Sequence, residues 1–412
     1  MIAPQQVPVP AQRVAAVLCS AHALSMTGFA TFSALLPLLM ATWRINNSEA
    51  GAISGMYYVG YMVAVPLLTG ITDQIDARRV YLLACALSSS AALGFAIFAH
   101  GFWSALILQW LAGAGLAGTY MPGLKILSEH IEGSHQSRWV AVYTSTFGVG
   151  AALSLWMAGA ITTIAEWRWA FAAAGVGPAV AGSLVFLRLP PREPNPVAER
   201  TGRLLDFRPV FRNRTATGYI LAYAAHCWEL FGFRSWIVAF FTFADALRAT
   251  AEPKLASVTT LAATINLIGP TASILGNEIA ARFDRPRVVL AIMSVSAALA
   301  CVVGFSAPLP GAFVFGLACV YFLAIMGDSA ALTAGLVAAA APQQRGAAMA
   351  VHSFLGFGAA FVAPIVFGAV LDFAGGNQSV FAWGLAFASL GVGYALVSLT
   401  LAVYRRLKFS VI

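Results

Sequence analysis

The sequence predicts an all-α integral membrane protein, with twelve transmembrane helices in two six-helix bundles related by a pseudo-two-fold axis along the membrane normal. Three observations carry this expectation. Of the 412 residues, 60% are hydrophobic and 10% charged, against about 25% charged in an ordinary globular domain. The chain divides into twelve mostly apolar segments of the length a bilayer demands, about 20 residues. The two halves of the chain also repeat one another.

The segments lie near 13–41, 48–72, 79–99, 102–128, 138–164, 168–189, 215–246, 254–281, 287–306, 310–340, 345–373 and 378–404. The net charge of +8 follows from the orientation they imply rather than from an affinity for nucleic acid. With both termini cytoplasmic, the inside loops hold 18 of the 24 Lys and Arg, as the positive-inside rule requires. That orientation places the protein in the inner, or plasma, membrane. The Ala21-His22-Ala23 triplet imitates a signal-peptidase site, but the apolar run continues past it, so an uncleaved first helix is expected. Cys19, Cys85, Cys227, Cys301 and Cys319 all fall in predicted helices, with no CxxC pair, and read as packing residues.

The repeat is specific. Ser145, Gly148, Gly150 and Ala152 match Ser353, Gly356, Gly358 and Ala360, and Asp76 and Arg79 match Asp284 and Arg287, all at an offset of 208. Gln136-Ser-Arg138 matches Gln343-Gln-Arg345 one residue closer. Such an offset spans six helices, an even number, so both halves enter the membrane in the same direction and a substrate site is expected between them near the midplane. Residues 1–189 and 215–412 form the two bundles. Residues 190–214, polar and rich in arginine, form a cytoplasmic linker suited to anionic headgroups.

With this layout the chain resembles the major facilitator superfamily over its whole length. The loop after the second segment, Gly70-Ile-Thr-Asp73-Gln-Ile-Asp76-Ala-Arg78-Arg79, is similar to the family's glycine, acid and basic-pair motif. Asp76 stands where a glycine is usual, and Gln74 where a basic residue is. The counterpart, Gly276 to Arg287, keeps Arg282 and Arg285, with Ala281 in the place of the acid. The resemblance implies that Asp73, Arg78, Arg79, Arg282 and Arg285 act in gating. It also implies a functional monomer working by alternating access. The fourth segment departs from the pattern: neutral Gln109 precedes Gly113 where many proton-coupled members carry arginine.

The seventh segment holds the stretch His226 to Trp236, HCWELFGFRSW. A charge at bilayer depth costs at least about 2.5 kcal/mol. At 100° per residue, His226, Glu229 and Arg234 fall at about 0°, −60° and +80°, on one face. Glu229 and Arg234 sit on opposite rims of that face, about 7.5 Å apart along the axis, and are poorly placed to pair. Either each holds an inter-helix contact, or Arg234 binds an anion while Glu229 or His226 carries a proton. Asp328, with Ser329 and Thr333, is the acid of the tenth segment. It reads as a proton carrier or as a fixed partner of Arg234 or His226. The substrate-binding candidates are therefore Arg234, His226, Tyr57, Tyr61 and Gln109, and the proton-coupling candidates Asp328 and Glu229. His22, Ser25 and Tyr58 are weaker ones. Lys125 near the cytoplasmic end would draw in anions, snorkel, or pair with Glu129. His22, His226 and His352 have no metal-ligand spacing, so no metal is expected.

No Walker loop, nucleophile elbow or dinucleotide fingerprint occurs, so neither an enzyme nor a cofactor is expected. The expectation is a secondary active transporter that moves a small organic or inorganic anion with protons. The alternative is a proton-driven exporter of drugs or hydrophobic metabolites. The orientation has a direct check. In a cysteine-free background, Thr201→Cys should resist an impermeant thiol reagent in intact cells, and ready labelling would reverse the topology.

Overall fold

The computed structural model describes residues 10–72, 74–131, 134–192, 208–248, 256–341 and 344–409. Asp73, Thr201 and most of the predicted linker lie outside the described residues. Among the described residues the regular elements are helical. The first seven are α1 (Ala11–Ser25), α2 (Thr31–Trp43), α3 (Asn47–Ile71), α4 (Ala77–Phe98), α5 (Phe102–His130), α6 (Ser134–Thr162) and α7 (Trp167–Arg188). The short α8 (Arg208–Arg212) leads into α9 (Arg214–Arg248), α10 (Val258–Arg282) and α11 (Arg285–Val303). The last four are α12 (Gly311–Gly327), α13 (Ser329–Ala339), α14 (Arg345–Phe373) and α15 (Val380–Phe409). Ten helical stretches among the described residues are long and apolar enough to cross a membrane.

Two expected single helices are broken, and each break has a local cause. The predicted 13–41 segment turns at Met26–Ala30, between α1 and α2. Thr27 Oγ1 donates to the Ala174 carbonyl of α7 at 2.8 Å, and Ser154 Oγ of α6 accepts from the Ala30 N–H at 3.0 Å. Side chains thus replace the helical bonds that the turn gives up, which makes irregular backbone tolerable inside a membrane protein. The predicted 310–340 segment breaks at Asp328, the residue between the end of α12 and the start of α13. Gly276 of α10 lies against the Gly327 carbonyl there, where a Cβ would collide. Close approach of α10 therefore accompanies the irregularity.

Packing follows the chain order. α4 lies against α5 and α7, α3 against α5, and α1 against α6 and α7. In the second half of the chain α9 packs on α13, α14 and α15, α10 on α12, and α11 on α12 and α15. Extensive contacts join α3 to α14 and α6 to α10, with α2 also touching α9. Trp236, Phe240, Phe367, Trp383 and Phe387 form a buried aromatic knot between α9, α14 and α15. The Trp236 indole is satisfied by the Pro364 carbonyl at 3.1 Å.

The α3–α14 contact is closest at the first turns of α3. Gly51 lies on the Pro364 carbonyl with no room for a Cβ. Asp372, near the end of α14, accepts from the Asn47 N–H at 3.2 Å and the Ser48 N–H at 2.9 Å. The Asn47 amide and the Ser48 hydroxyl also donate to it, each at 2.7 Å. Asn46 and Glu49 complete a capping box at the same turn. A carboxylate from a distant helix thus satisfies orphan N–H donors and complements the dipole at the start of α3.

Replacing a helix-capping carboxylate removes about 0.5–2 kcal/mol. Asp372→Ala should therefore lower the thermal unfolding temperature of the purified protein. An unchanged transition would show that this junction contributes nothing.

Candidate functional site

The site is built around α9, where Phe233 to Val238 are all buried because other helices enclose α9. Arg234 is 9% exposed. Its Nε donates to Asn266 Oδ1 of α10 at 3.0 Å. The guanidinium lies within cation–π range of four phenyl rings: Phe147 at 5.4 Å, Phe322 at 5.6 Å, Phe231 at 5.8 Å and Phe29 at 6.0 Å. These rings come from the α1–α2 turn, α6, α9 and α12. Among the described residues Arg234 forms no ion pair with a carboxylate. Nε is the one guanidinium nitrogen of Arg234 for which a protein acceptor is seen among them. The spacing argument against a Glu229–Arg234 pair is met, since each residue has a different partner.

The acids of this region have other neighbours. Asp328 Oδ1 lies 2.7 Å from His226 Nδ1, with both side chains buried. The two atoms are close without forming an aligned hydrogen bond. Of the two partners the sequence left open for Asp328, the structure selects His226. Glu229 Oε1 accepts from Ser296 Oγ of α11 at 2.7 Å, and the Tyr321 hydroxyl lies beside the same carboxylate. Tyr223, one turn before His226, stacks on His226 at 5.7 Å and on His352 at 3.6 Å. Asp328, His226, Tyr223 and His352 therefore form a continuous line from the α12–α13 junction through α9 to α14, with Tyr223 half-buried and the other three buried.

The tyrosine candidates reach the same region from α3. Tyr58 meets Phe231 at 4.5 Å, Tyr61 meets Phe357 at 4.2 Å, and Tyr57 meets Phe29 edge-on at 5.6 Å. Gln109, with Tyr57, Ser25, Phe29 and Ser88, lines a small cavity between α1, α3, α4, α5 and α7, and this cavity shares Phe29 with the rings around Arg234. His22 is in the first half of the chain, 2.6 Å from Thr146 Oγ1 and stacked on Tyr143, so it does not join His226 and His352. Among the described residues no cluster of three His, Cys, Asp or Glu is placed to hold a metal.

Lys125 Nζ donates to the Thr72 carbonyl at 2.6 Å. Asp76 caps α4 by accepting from the Arg78 N–H at 2.9 Å, and Asp284 caps α11 by accepting from the Arg287 N–H at 2.9 Å. The acid in the usual glycine position thus serves a helix start in both loops. Arg78 donates to the Phe186 carbonyl of α7, and Arg285 to Asn277 and the Ala331 carbonyl. Arg79 and Arg282 are exposed. Among the described residues these bonds of Arg78 and Arg285 stay within their own half of the chain.

Sequence reasoning missed Asn266, Ser296, Tyr321, Tyr223 and Asp372. Asn266 carried one signal, as an amide four residues before Pro270 in an apolar run.

The family model for the Major Facilitator Superfamily matches residues 18–327, most of the chain. The chain belongs to the Major Facilitator Superfamily. It is 22% identical over 165 residues to the probable sphingolipid transporter spinster homolog 1 of Arabidopsis thaliana. It is 26% identical over 178 residues to the uncharacterized MFS-type transporter YcaD of Escherichia coli. These matches cover 40% and 42% of this chain and 33% and 45% of the relatives' own length.

Among solved structures, a bacterial homolog of the human lysosomal transporter Spinster, inward-facing and occupied, aligns with a TM-score of 0.74 at 14% identity. That alignment covers 96% of this chain and 97% of the other. The nucleoside transporter NupG aligns with a TM-score of 0.72 at 13% identity, covering 95% and 99% of the two chains. Both likenesses concern the fold.

The His226–Asp328 contact has its own check. Asp328→Ala leaves a buried imidazole nitrogen without its partner and should destabilise the protein by about 1–3 kcal/mol. His226→Phe in that background should recover part of the loss. Additive losses in a double-mutant cycle would mean the two residues are not coupled.

Proposed function

We propose that this chain is a secondary active transporter that carries an anion together with protons by alternating access. Residues 1–189 and 215–412 act as two six-helix units, giving twelve spans with α1–α2 and α12–α13 as single broken ones. Residues 190–214 join the units on the cytoplasmic side, both termini lie there, and the protein works as a monomer in the inner, or plasma, membrane. The repeat at an offset of 208 supports this division, as does packing between the halves through α3–α14 and α6–α10. Asp73, Arg78, Arg79, Arg282 and Arg285 gate the cytoplasmic side.

The observation that carries the anion reading is Arg234. It is a buried cation facing rings from both halves of the chain, with a neutral amide as its partner. The charge that balances it arrives with the substrate. Proton coupling is assigned to Asp328 and Glu229, with His226 as the relay between Asp328 and the aromatic line to His352. Protonation of Asp328 releases His226, and this switch alters the packing of α9 against the α12–α13 break. Tyr57 and Tyr61 wall the passage, and Gln109 lines the adjoining cavity.

The four phenyl rings favour a second reading, export of a hydrophobic metabolite. Competition by small carboxylates, together with abolition of transport by a protonophore, supports the first. Indifference to carboxylates supports the second.

In proteoliposomes with an imposed pH gradient, Asp328→Asn should abolish proton-driven accumulation but spare counterflow down a substrate gradient. Arg234→Ala should remove both activities. Arg234→Lys should weaken both, because the planar fork is lost. Coupled accumulation by Asp328→Asn at the wild-type rate would defeat the proton assignment.

A further inference from the structure

We propose that the Arg234 site takes an organic monoanion with a flat apolar body, and that Asn266 is the positioning residue that holds Arg234 for it without neutralising it. The proposal rests on the anion reading above and names its substrate class.

Asn266 is buried and has both ends of its amide engaged. Nδ2 donates to the Ala262 carbonyl one turn earlier at 3.0 Å, which turns Oδ1 toward Arg234 Nε. The side chain therefore fixes one edge of the guanidinium. A carboxylate at this place would cancel its charge and could not donate to the Ala262 carbonyl. With Nε held, the two terminal nitrogens remain as a fork, the geometry that accepts a carboxylate in two parallel bonds.

The rings set the rest of the ligand. Phe231 and Phe322 are buried, whereas Phe29 and Phe147 are half-buried. Phe29 and Phe147 meet each other edge-on at 5.0 Å. A planar apolar group against such rings gains stacking and edge contacts that a small hydrated anion does not make. A dianion would bring a second charge into a buried site with one cation, without compensation. A cation would meet Arg234 as a like charge.

The test uses purified full-length protein, with benzoate as the probe and acetate, terephthalate and benzylamine beside it, read by thermal shift and equilibrium binding. Benzoate should stabilise the wild type, and the other three should bind more than about tenfold more weakly, the equivalent of one charge-assisted contact. Asn266→Asp gives up the bond to the Ala262 carbonyl but gains a charge pair with Arg234, and should lose benzoate by more than about tenfold. Should that variant fail to fold, Phe147→Leu keeps an apolar side chain there and removes one ring, and it should narrow the preference for benzoate over acetate.

Acetate binding as tightly as benzoate would overturn the apolar-body proposal and leave the anion reading standing. Preferential binding of benzylamine would overturn both. Terephthalate binding as well as benzoate would overturn the single-charge proposal alone. Wild-type benzoate affinity in a folded Asn266→Asp protein would overturn the role given to Asn266. Absence of benzoate binding to the wild type would overturn the substrate class.

Discussion

A guanidinium enclosed by protein at the middle of a membrane helix must have its charge met by something. Arg234 meets an amide oxygen and four ring faces, and no carboxylate among the described residues. Ring quadrupoles and one neutral hydrogen bond reduce the penalty of burial without removing the charge. The surrounding arrangement is consistent with keeping that charge available. Glu229, five residues away on the same helix, is turned toward Ser296, and Asp328 is in contact with His226. Both acids that could have neutralised Arg234 are thereby directed elsewhere.

The irregular backbone serves the same arrangement. The turn between α1 and α2 brings Phe29 to the guanidinium, and Thr27 and Ser154 stabilise that turn by replacing helical bonds. The break between α12 and α13 lies at Asp328, whose side chain contacts His226 of α9. At the start of α3, Asp372 fastens two distant helices through four donors. This junction involves helices from both halves of the chain, as the Arg234 rings do. Movement of one half against the other would therefore be felt at both places.

Much of this was legible in the chain. Apolar segment lengths placed the helices to within a few residues, because bilayer thickness sets a minimum length for every span. Helical spacing put His226, Glu229 and Arg234 on one face and argued correctly that Glu229 and Arg234 would not pair. The partners were harder to read. His226 and Asp328 are 102 residues apart in the chain, and an acid in an apolar helix names no partner by itself. Asn266 and Ser296 are uncharged, so burying them raises no alarm in a sequence. The aromatic collar was invisible for the opposite reason: with 28 phenylalanines in the chain, the four around Arg234 have no sequence mark. The helix break at residues 26–30 depends on bonds from other helices, and the one at Asp328 lies where α10 approaches closely; periodicity encodes neither. Asp73 lies outside the described residues, so its gating role rests on its resemblance to the family motif.

The central claim is that the charge on Arg234 is matched by the substrate and not by the protein. Crystals grown with 4-bromobenzoate test it directly, because bromine gives an anomalous signal that locates the ligand independently of the protein. The account predicts a bromine peak inside the collar of Phe29, Phe147, Phe231 and Phe322, with the carboxylate on the terminal nitrogens of Arg234. A peak elsewhere, with Arg234 paired to Glu229 or Asp328, would contradict it.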